Sequence, residues 1–176
     1  MKVLVLNHHE VVRLMPVSEC IPVMDKALAS LARGLMYQPL RSATVPRNAA
    51  GLLGMMPCYG YDPRLFALKA VCIFPGNSEK GLDIHQGGVL LFSGETGQLL
   101  CLMDASAITS IRTAAVSAVA TRLLSAEDAG ELALIGAGIQ ARAHLLAMAC
   151  VRNIRRARVA SRGESTARAF AEEMGP

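Results

Sequence analysis

An apolar run that passes directly into a glycine loop sets the strongest constraint on how this chain folds. ELALI at 131–135 leads into GAGIQA at 136–141, and RAHLLAMAC follows. This pattern predicts a strand over 131–135 and a helix over 139–151. A second strand over 156–160 and a helix from about residue 164 continue the same alternation. The sequence from residue 126 therefore predicts the start of a parallel α/β domain.

The glycine loop has the spacing of a phosphate-binding turn. In dinucleotide-binding folds the first glycine permits the turn, the second lets the backbone approach a pyrophosphate, and the third position takes a small residue. Gly136, Gly138 and Ala141 occupy these positions. The motif alone is weak evidence for a nucleotide site. The strand before it, the helix after it and the second strand favour a nucleotide site over a structural turn.

The end of the predicted second strand indicates which dinucleotide the loop takes. An acidic residue there accepts the ribose hydroxyls of NAD, but this chain has VASRG. Ser161 and Arg162 can receive a 2′-phosphate, whereas Glu164 lies slightly beyond the usual acidic position. NADP(H) is therefore favoured and NAD(H) stays possible. Alternatively, Arg162 is one of many surface arginines in this segment.

The first part of the chain predicts a different architecture. Short apolar runs between Gly and Pro over 40–103 indicate a mainly antiparallel sheet, with SGETG as a hairpin turn. A strand at 2–6 and a helix that Gly34 ends come before it. DASAITSIRTAAVSAVATRLLS predicts a helix whose small residues permit close approach from several sides, and we place it between two domains. We expect these domains to be 1–125 and 126–176.

Two cations stand in apolar surroundings. Lys69 lies in FALKAVCIF, where it is either an edge-strand lysine whose ammonium reaches solvent or a group that binds a carboxylate or transfers a proton. The second interpretation is slightly favoured. Arg112 lies in the small-residue helix, and it either binds an anion or forms an inter-domain salt bridge. Arg41 and His85 are weaker candidates, because a surface arginine and a histidine in a glycine-flanked loop are more often solvated.

Composition excludes several classes of function. No apolar stretch approaches the ~18 residues of a membrane span. Residues 152–176 carry six Arg against three Glu, but without interleaved aromatics we exclude nucleic acid. Five scattered cysteines without a CxxC pair indicate reduced thiols in a cytoplasmic protein. His8 and His9 lack partners at metal-ligand spacing, so we assign no metal.

Two linked blocks carry a resemblance to a known family. HQGGVLLFSGETGQLLCLMDASAITSIRTAAVSAVAT, followed by LALIGAGIQARAH, resembles the ornithine cyclodeaminase/mu-crystallin family. The resemblance covers the whole chain and is densest from Lys69 to Arg162. It implies an α/β fold with a mixed-sheet domain that binds substrate and forms a homodimer, followed by the start of a Rossmann-type dinucleotide-binding domain.

The resemblance also implies roles for individual residues. Arg41 and Lys69 match the family's substrate-carboxylate residues, Lys69 is the catalytic candidate, and Arg112 matches a helix arginine near both substrate and cofactor. The positions that match cofactor contacts are His85, Arg112, Gly136, Ala137, Gly138, Ile139, Gln140, Ser161 and Arg162.

The activity that the resemblance implies is an NAD(P)-dependent oxidoreductase or deaminase acting on the C–N bond of an amino acid or cyclic imine. An alternative is a crystallin-like NADP-dependent binding protein without significant turnover. Family members are nearly twice as long as this chain. We therefore expect the chain to be an N-terminal portion, lacking further Rossmann strands and a catalytic Asp, and weakly active or inactive alone. The sequence leaves the substrate open, together with the choice among lyase, reductase and dehydrogenase.

Overall fold

The computed structural model describes residues 2–175, and the chain forms two compact units. One, here called the sheet unit, comprises the residues up to Leu14 together with Ala27–Thr109. The other, the loop unit, comprises Met15–Lys26 and the residues from Ser110 onward. Both contain helices and strands, so the chain has the predicted α/β fold. The division into domains 1–125 and 126–176 stays a prediction.

The sheet unit is built on one seven-stranded mixed sheet with the order β1-β7-β6-β5-β4-β2, in which β3 also pairs with β4. β1 runs parallel to β7, and every other pairing in this sheet is antiparallel, including the predicted hairpin of β6 and β7. A 3₁₀ segment, Pro75–Lys80, joins β5 to β6. The strands are β1 Leu4–Leu6, β2 Met36–Tyr37, β3 Ser42–Thr44, β4 Leu52–Tyr61, β5 Arg64–Ile73, β6 His85–Ser93 and β7 Leu99–Asp104.

The two faces of this sheet differ in burial. Side chains alternate between faces along a strand, so Lys69 and Val71 share one face, which also carries the buried Cys101. The opposite face carries Phe66, which is 50% exposed, and Leu102, which is 37% exposed. Both faces are largely apolar, and the buried strand residues Val71 and Cys101 lie on the same one of them.

A short helix that the sequence patterns did not predict follows the first strand. α1 spans His8–Leu14, and a reciprocal capping box caps its amino end. Asn7 Oδ1 accepts a hydrogen bond from the Glu10 amide at 3.0 Å, and Glu10 Oε2 accepts one from the Asn7 amide at 2.8 Å. The NHHE tetrapeptide at 7–10 carries the signal for this cap.

The loop unit surrounds a core of small side chains. It contains most of α2, which spans Val17–Ala32, and most of α3, which spans Ala105–Leu124. The start of α3 and its cap Asp104 belong to the sheet unit, as does the end of α2. The predicted alternation then follows as β8 Glu131–Ile135, α4 Ile139–Val151, β9 Arg156–Ala160 and α5 Glu164–Met174, with β8 and β9 parallel. The core residues are Cys20, Ile21, Ala114, Ala115, Ala118, Val119, Ala147 and Met148. Small residues let the helices approach closely, as predicted for α3.

One arginine closes the carboxyl end of α3. Arg152 Nη2 donates to the carbonyl oxygens of Thr121, Arg122 and Ser125, each at 3.0 Å, and Nε donates to that of Ala126 at 3.0 Å. The last carbonyls of a helix lack partners within the helix and carry a partial negative charge. The guanidinium satisfies them together, so part of the basic segment at 152–176 has a structural role.

Helix length and cysteine burial bear on two of the sequence predictions, the absence of a membrane span and the reduced thiols. Across residues 2–175, no helix combines the length and the apolar character needed to cross a membrane. All five cysteines are free thiols, with Cys20 and Cys101 buried and Cys150 exposed. Burial raises the pKa of the Cys20, Cys58 and Cys101 thiols, which disfavours the reactive thiolate.

Candidate nucleotide and substrate sites

The glycine loop leaves β8 in a conformation that suits glycine. Gly136 has φ of +110°, a region that L side chains rarely adopt, and its amide donates to the Ala160 carbonyl oxygen at 2.7 Å. Gly138 then caps α4 with extended backbone and no side-chain hydrogen bond. A Cβ at either glycine would project into open space. The amino end of α4 therefore presents unblocked N–H groups, as an anion site requires.

An open cavity of about 920 Å³ lies at the carboxyl ends of β8 and β9. This is where ligands bind in open α/β sheets. The glycine loop forms one side of it, and the turn after β9 forms the other. The lining residues are Ile135, Gly136, Ala137, Gly138, Ala160, Ser161, Arg162, Gly163 and Thr166. The structure thus brings the predicted loop and the predicted Ser161–Arg162 pair to one cavity.

Arg142 anchors the glycine loop from within α4. Its Nη1 donates to the Ala137 carbonyl oxygen at 2.9 Å, and its other nitrogens pair with both carboxylate oxygens of Glu173. Its guanidinium also lies over the Phe170 ring, 5.3 Å from the centroid. The hydrogen bond with Glu173 raises the pKa of Arg142, and the same bond lowers the pKa of Glu173. One side chain thereby links the loop to α5.

His144 holds the other side of the loop. Its Nδ1 lies 2.7 Å from the Gln140 carbonyl oxygen, and its Nε2 lies 3.0 Å from the Ser117 hydroxyl on α3. A carbonyl only accepts, so Nδ1 carries the proton in the neutral ring and Nε2 accepts from Ser117. Neither Arg142 nor His144 lies within the glycine motif, so the motif did not predict their roles.

The turn after β9 presents a cation and two hydroxyls. The Ser161 hydroxyl donates to the Gly163 carbonyl oxygen at 2.6 Å, which fixes the turn. Arg162 is exposed and makes no hydrogen bond or ion pair with any residue in 2–175. Thr166, in the first turn of α5, also lines the cavity and was not predicted. This side of the cavity therefore offers a guanidinium that is available to an anion.

Lys69 lies at the centre of the sheet, so the alternative of an edge-strand lysine is wrong. β5 is an interior strand, and Lys69 pairs with Met56 on β4 and Val89 on β6. Its side chain is half-buried. Arg41 is exposed and precedes β3, whose first residue, Ser42, pairs with Met55. Extending this register by one residue places Arg41 in the row of Lys69, about 10 Å away across two strand spacings.

His85 is not in a loop, and the loop prediction is corrected. It is the first residue of β6 and pairs with Ile73. Gly87 and Gly88 also belong to this strand. A side chain does not fit at Gly87, because a Cβ there would lie 2.1 Å from the Ala70 carbonyl oxygen on β5. His85 is exposed and shares the face of Lys69, four residues along the strand or about 13 Å away.

The segment before His85 is fixed by Asp83. The Ser106 hydroxyl donates to Asp83 Oδ2 at 2.8 Å, while the side-chain amides of Asn77 and Gln86 donate to the Asp83 carbonyl oxygen at 2.9 and 3.1 Å. These bonds join the 3₁₀ segment, the start of β6 and the first turn of α3. No sequence pattern singled out Asp83, because its partners lie up to 23 residues away.

Arg112 lies on α3 in the loop unit and is half-buried. It forms no hydrogen bond or ion pair with any described residue, so the salt-bridge alternative finds no partner within 2–175. The adjacent Thr113 hydroxyl is buried and also has no partner among the described residues. Arg112 and the Thr113 hydroxyl thus each lack a partner among the described residues, and groups of this kind call for an explanation such as a bound ligand.

Two parallel strands, a glycine loop and a cavity at the carboxyl ends of the strands form the arrangement that is found in dinucleotide-binding α/β folds. The family model for the ornithine cyclodeaminase/mu-crystallin family matches residues 1–175. The chain belongs to this family.

Relatives and solved structures agree with this assignment. The ketimine reductase mu-crystallin of Mus musculus is 39% identical over 127 residues, covering 70% of this chain and 41% of the relative. The structure of Thermococcus litoralis Δ1-pyrroline-2-carboxylate reductase in complex with NADH and L-proline superposes with a TM-score of 0.92 at 37% identity, covering 98% of this chain and 53% of the other. An archaeal alanine dehydrogenase dimer with bound NAD gives 0.91 at 30% identity, covering 98% and 53%. The chain spans about half the length of the relatives it matches.

Proposed function

We propose that the loop unit binds the pyrophosphate and adenosine portions of a nicotinamide dinucleotide. The observation that carries this proposal is the cavity of about 920 Å³ between the glycine loop and the turn after β9. The backbone of Gly136, Ala137 and Gly138, with the first amides of α4 at Ile139 and Gln140, would hold the pyrophosphate. Open space beyond the Cβ positions of both glycines fits this group.

NADP(H) is the proposed cofactor rather than NAD(H). Arg162 lines the cavity and has no partner among the described residues, so its guanidinium can pair with a 2′-phosphate. Ser161 places the turn by bonding the Gly163 carbonyl oxygen and can still accept hydrogen bonds. The two solved relatives described above contain NADH and NAD, so a direct comparison of both dinucleotides is the required test.

The proposed reaction is oxidation or reduction at the C–N bond of a small amino acid or cyclic imine. The compounds in the relatives' names, which are pyrroline carboxylate, alanine and ketimines, all contain this bond. When bound, the nicotinamide would exchange a hydride with the carbon of that bond, and reduction also requires a proton at the nitrogen. We assign carboxylate binding to Arg41 and Lys69, and Lys69 also controls the proton near the nitrogen.

The row shared by Arg41 and Lys69 supports this assignment within the sheet unit. Two long cationic side chains about 10 Å apart at the backbone can converge on one carboxylate. For His85 and Arg112, the resemblance to the family suggests contacts with the cofactor, and for Arg112 also with the substrate. His85 is exposed, Arg112 is half-buried, and neither side chain has a partner within 2–175, which is compatible with those roles.

We also propose a homodimer formed through the exposed face of the sheet. Tyr59 and Phe66 stack at 4.5 Å between ring centroids on this face, beside an apolar cavity of about 280 Å³ that Leu68 and Phe92 also line. Exposed apolar patches of this kind mark interaction surfaces. Phe66→Glu should produce a monomer in sedimentation velocity, while Leu124→Glu on the exposed end of α3 should not.

The test of cofactor binding is titration of the 176-residue chain with NADPH and NADH, followed by nicotinamide fluorescence. The proposal expects binding of NADPH, weaker binding of NADH, and loss of the difference in Arg162→Gln. The matched control Arg158→Gln removes an equal charge from β9 at a residue that does not line the cavity. Absence of binding for both dinucleotides would refute the proposed site.

The test of the substrate site uses L-proline as the probe, with NADP present. Lys69→Ala should abolish proline binding and leave the affinity for NADPH unchanged, since Lys69 belongs to the sheet unit. Unchanged proline binding would disprove the role of Lys69. The parallel sheet described here has only two strands, and we propose that turnover by this chain alone is weak or absent. Robust imine reduction by the purified chain would contradict that statement.

A further inference from the structure

The first turn of α5 contains an ion pair beside the proposed 2′-phosphate position. Glu164, the first residue of α5, accepts a hydrogen bond from Arg168 Nη2 at 2.7 Å. Gly163 and Thr166 line the cavity at the end of β9, whereas Glu164 between them does not. The Glu164 carboxylate is therefore directed along the helix toward Arg168 rather than into the cavity.

The direction of this carboxylate matters because its charge is the wrong one for a 2′-phosphate. A carboxylate near the end of the second strand accepts the ribose hydroxyls of NAD and repels the phosphate of NADP. Glu164 stands two residues after Arg162, and both of its flanking cavity residues, Gly163 and Thr166, lie on the same turn. Whether the site prefers one dinucleotide therefore depends on what holds and neutralises Glu164.

We propose that Arg168 is a specificity-determining positioning residue, which holds Glu164 away from the ribose and so favours NADP over NAD. The inference rests on the cofactor site proposed above, and it adds a residue that controls the choice between NADP and NAD. Arg168 acts through Glu164 and does not itself line the cavity. Both side chains are more than 70% exposed, at 79% for Glu164 and 75% for Arg168. An exposed pair of this type contributes little to stability, so it can be removed without unfolding the helix.

The experiment measures the ratio of two affinities in the 176-residue chain. Isothermal titration uses ADP-ribose and 2′-phospho-ADP-ribose, because both probes require only the glycine loop and the turn after β9. R168Q is expected to lower the affinity ratio of the phosphorylated to the unphosphorylated probe about fivefold, the size expected for releasing one carboxylate near a phosphate dianion in a solvated site. R168K should retain most of the preference of the unmodified chain.

The double variant separates positioning from direct contact. If Arg168 acts through Glu164, E164Q/R168Q should recover the ratio of E164Q alone, because no carboxylate remains to be released. A fivefold loss that persists in the double variant would show that Arg168 contacts the phosphate itself, and the inference would be overturned. An unchanged ratio in R168Q would overturn it as well.

A charge-matched control and the parent chain complete the design. R158Q breaks another exposed pair of 2.7 Å, between Arg158 on β9 and Glu131, and should leave the ratio unchanged. A ratio that falls equally in R158Q would attribute the effect to net charge and refute the role of Arg168. Failure of the parent chain to bind either probe would instead refute the cofactor site, and this inference with it.

Discussion

The two sheets of this protein are held together in different ways. In the sheet unit, β4 and β5 are ten residues long and pair along their whole length. In the loop unit, β8 and β9 are five residues long and pair only with each other among the described strands. Arginine side chains supplement this short pairing, with Arg152 on the end of α3 and Arg142 on the glycine loop. The large sheet has long main-chain pairing, whereas the loop unit combines a short pairing with side-chain bonds that join the segments around it.

The largest expected effect tests this dependence at α3. Arg152→Ala should lower the free energy of unfolding by about 2–4 kcal/mol, because it removes the donor of the Arg122 and Ser125 carbonyls and a second donor of the Thr121 and Ala126 carbonyls. Hydrogen–deuterium exchange should become faster in β8 and β9, while the amides shared by β4 and β5 stay protected. Arg158→Ala, which removes an exposed cation, is the control, with an expected change within about 0.5 kcal/mol. An equal increase of the exchange rate in both sheets would contradict the difference proposed between them.

The next prediction separates the folding of the loop from its binding. Gly136→Ala should cost about 1–3 kcal/mol of stability, because φ of +110° is strained for alanine. Gly138→Ala should leave urea unfolding nearly unchanged, since its backbone is extended and a Cβ meets no atom within 4 Å. The added methyl would nevertheless occupy the space proposed for the pyrophosphate, so ADP-ribose affinity should fall at least about tenfold. Tight ADP-ribose binding by Gly138→Ala would contradict the proposed loop.

A smaller effect is expected in the sheet unit. Ser106→Ala removes the hydrogen bond to Asp83 and should cost about 1 kcal/mol. Exchange should become faster only over residues 77–86, because long main-chain pairing protects β4 and β5. Ser106→Thr, which keeps the hydroxyl, should restore protection. If the whole sheet loosened in Ser106→Ala, side-chain bonds would matter here as much as in the loop unit.

The smallest effect concerns acid. Arg142 lowers the pKa of Glu173, so the carboxylate stabilises the folded state above its ordinary pKa of about 4.3. That contribution is lost as the pH falls through the lower pKa of the folded state. The stability difference between the unmodified chain and Glu173→Gln should therefore be small at neutral pH and vanish in acid. A difference that grows on acidification would have the wrong sign.

The same contrast explains what the sequence could predict. The bounds of β8, α4 and β9 were predicted to the residue, because in this region the apolar periodicity, the glycine turn and the next strand are neighbours in the chain. The placement of His85 in β6 was missed, since it depends on Ile73 and on the close approach of Gly87 to another strand. Arg142, His144 and Arg152 were also missed as anchors. Each of them binds at least one backbone carbonyl, and such a partner leaves no mark in a sequence.

The parallel pairing of β1 with β7 has a consequence for synthesis of the chain. Leu4 lies opposite Cys101, so β1 emerges from the ribosome 97 residues ahead of its partner. At about 5–20 residues per second, that interval lasts roughly 5–20 seconds. During that time the apolar LVL segment has no strand to join, although the hairpin of β4 and β5 can already form. The nascent chain therefore exposes this apolar segment until β7 is complete, and the segment should engage ribosome-associated chaperones during that interval.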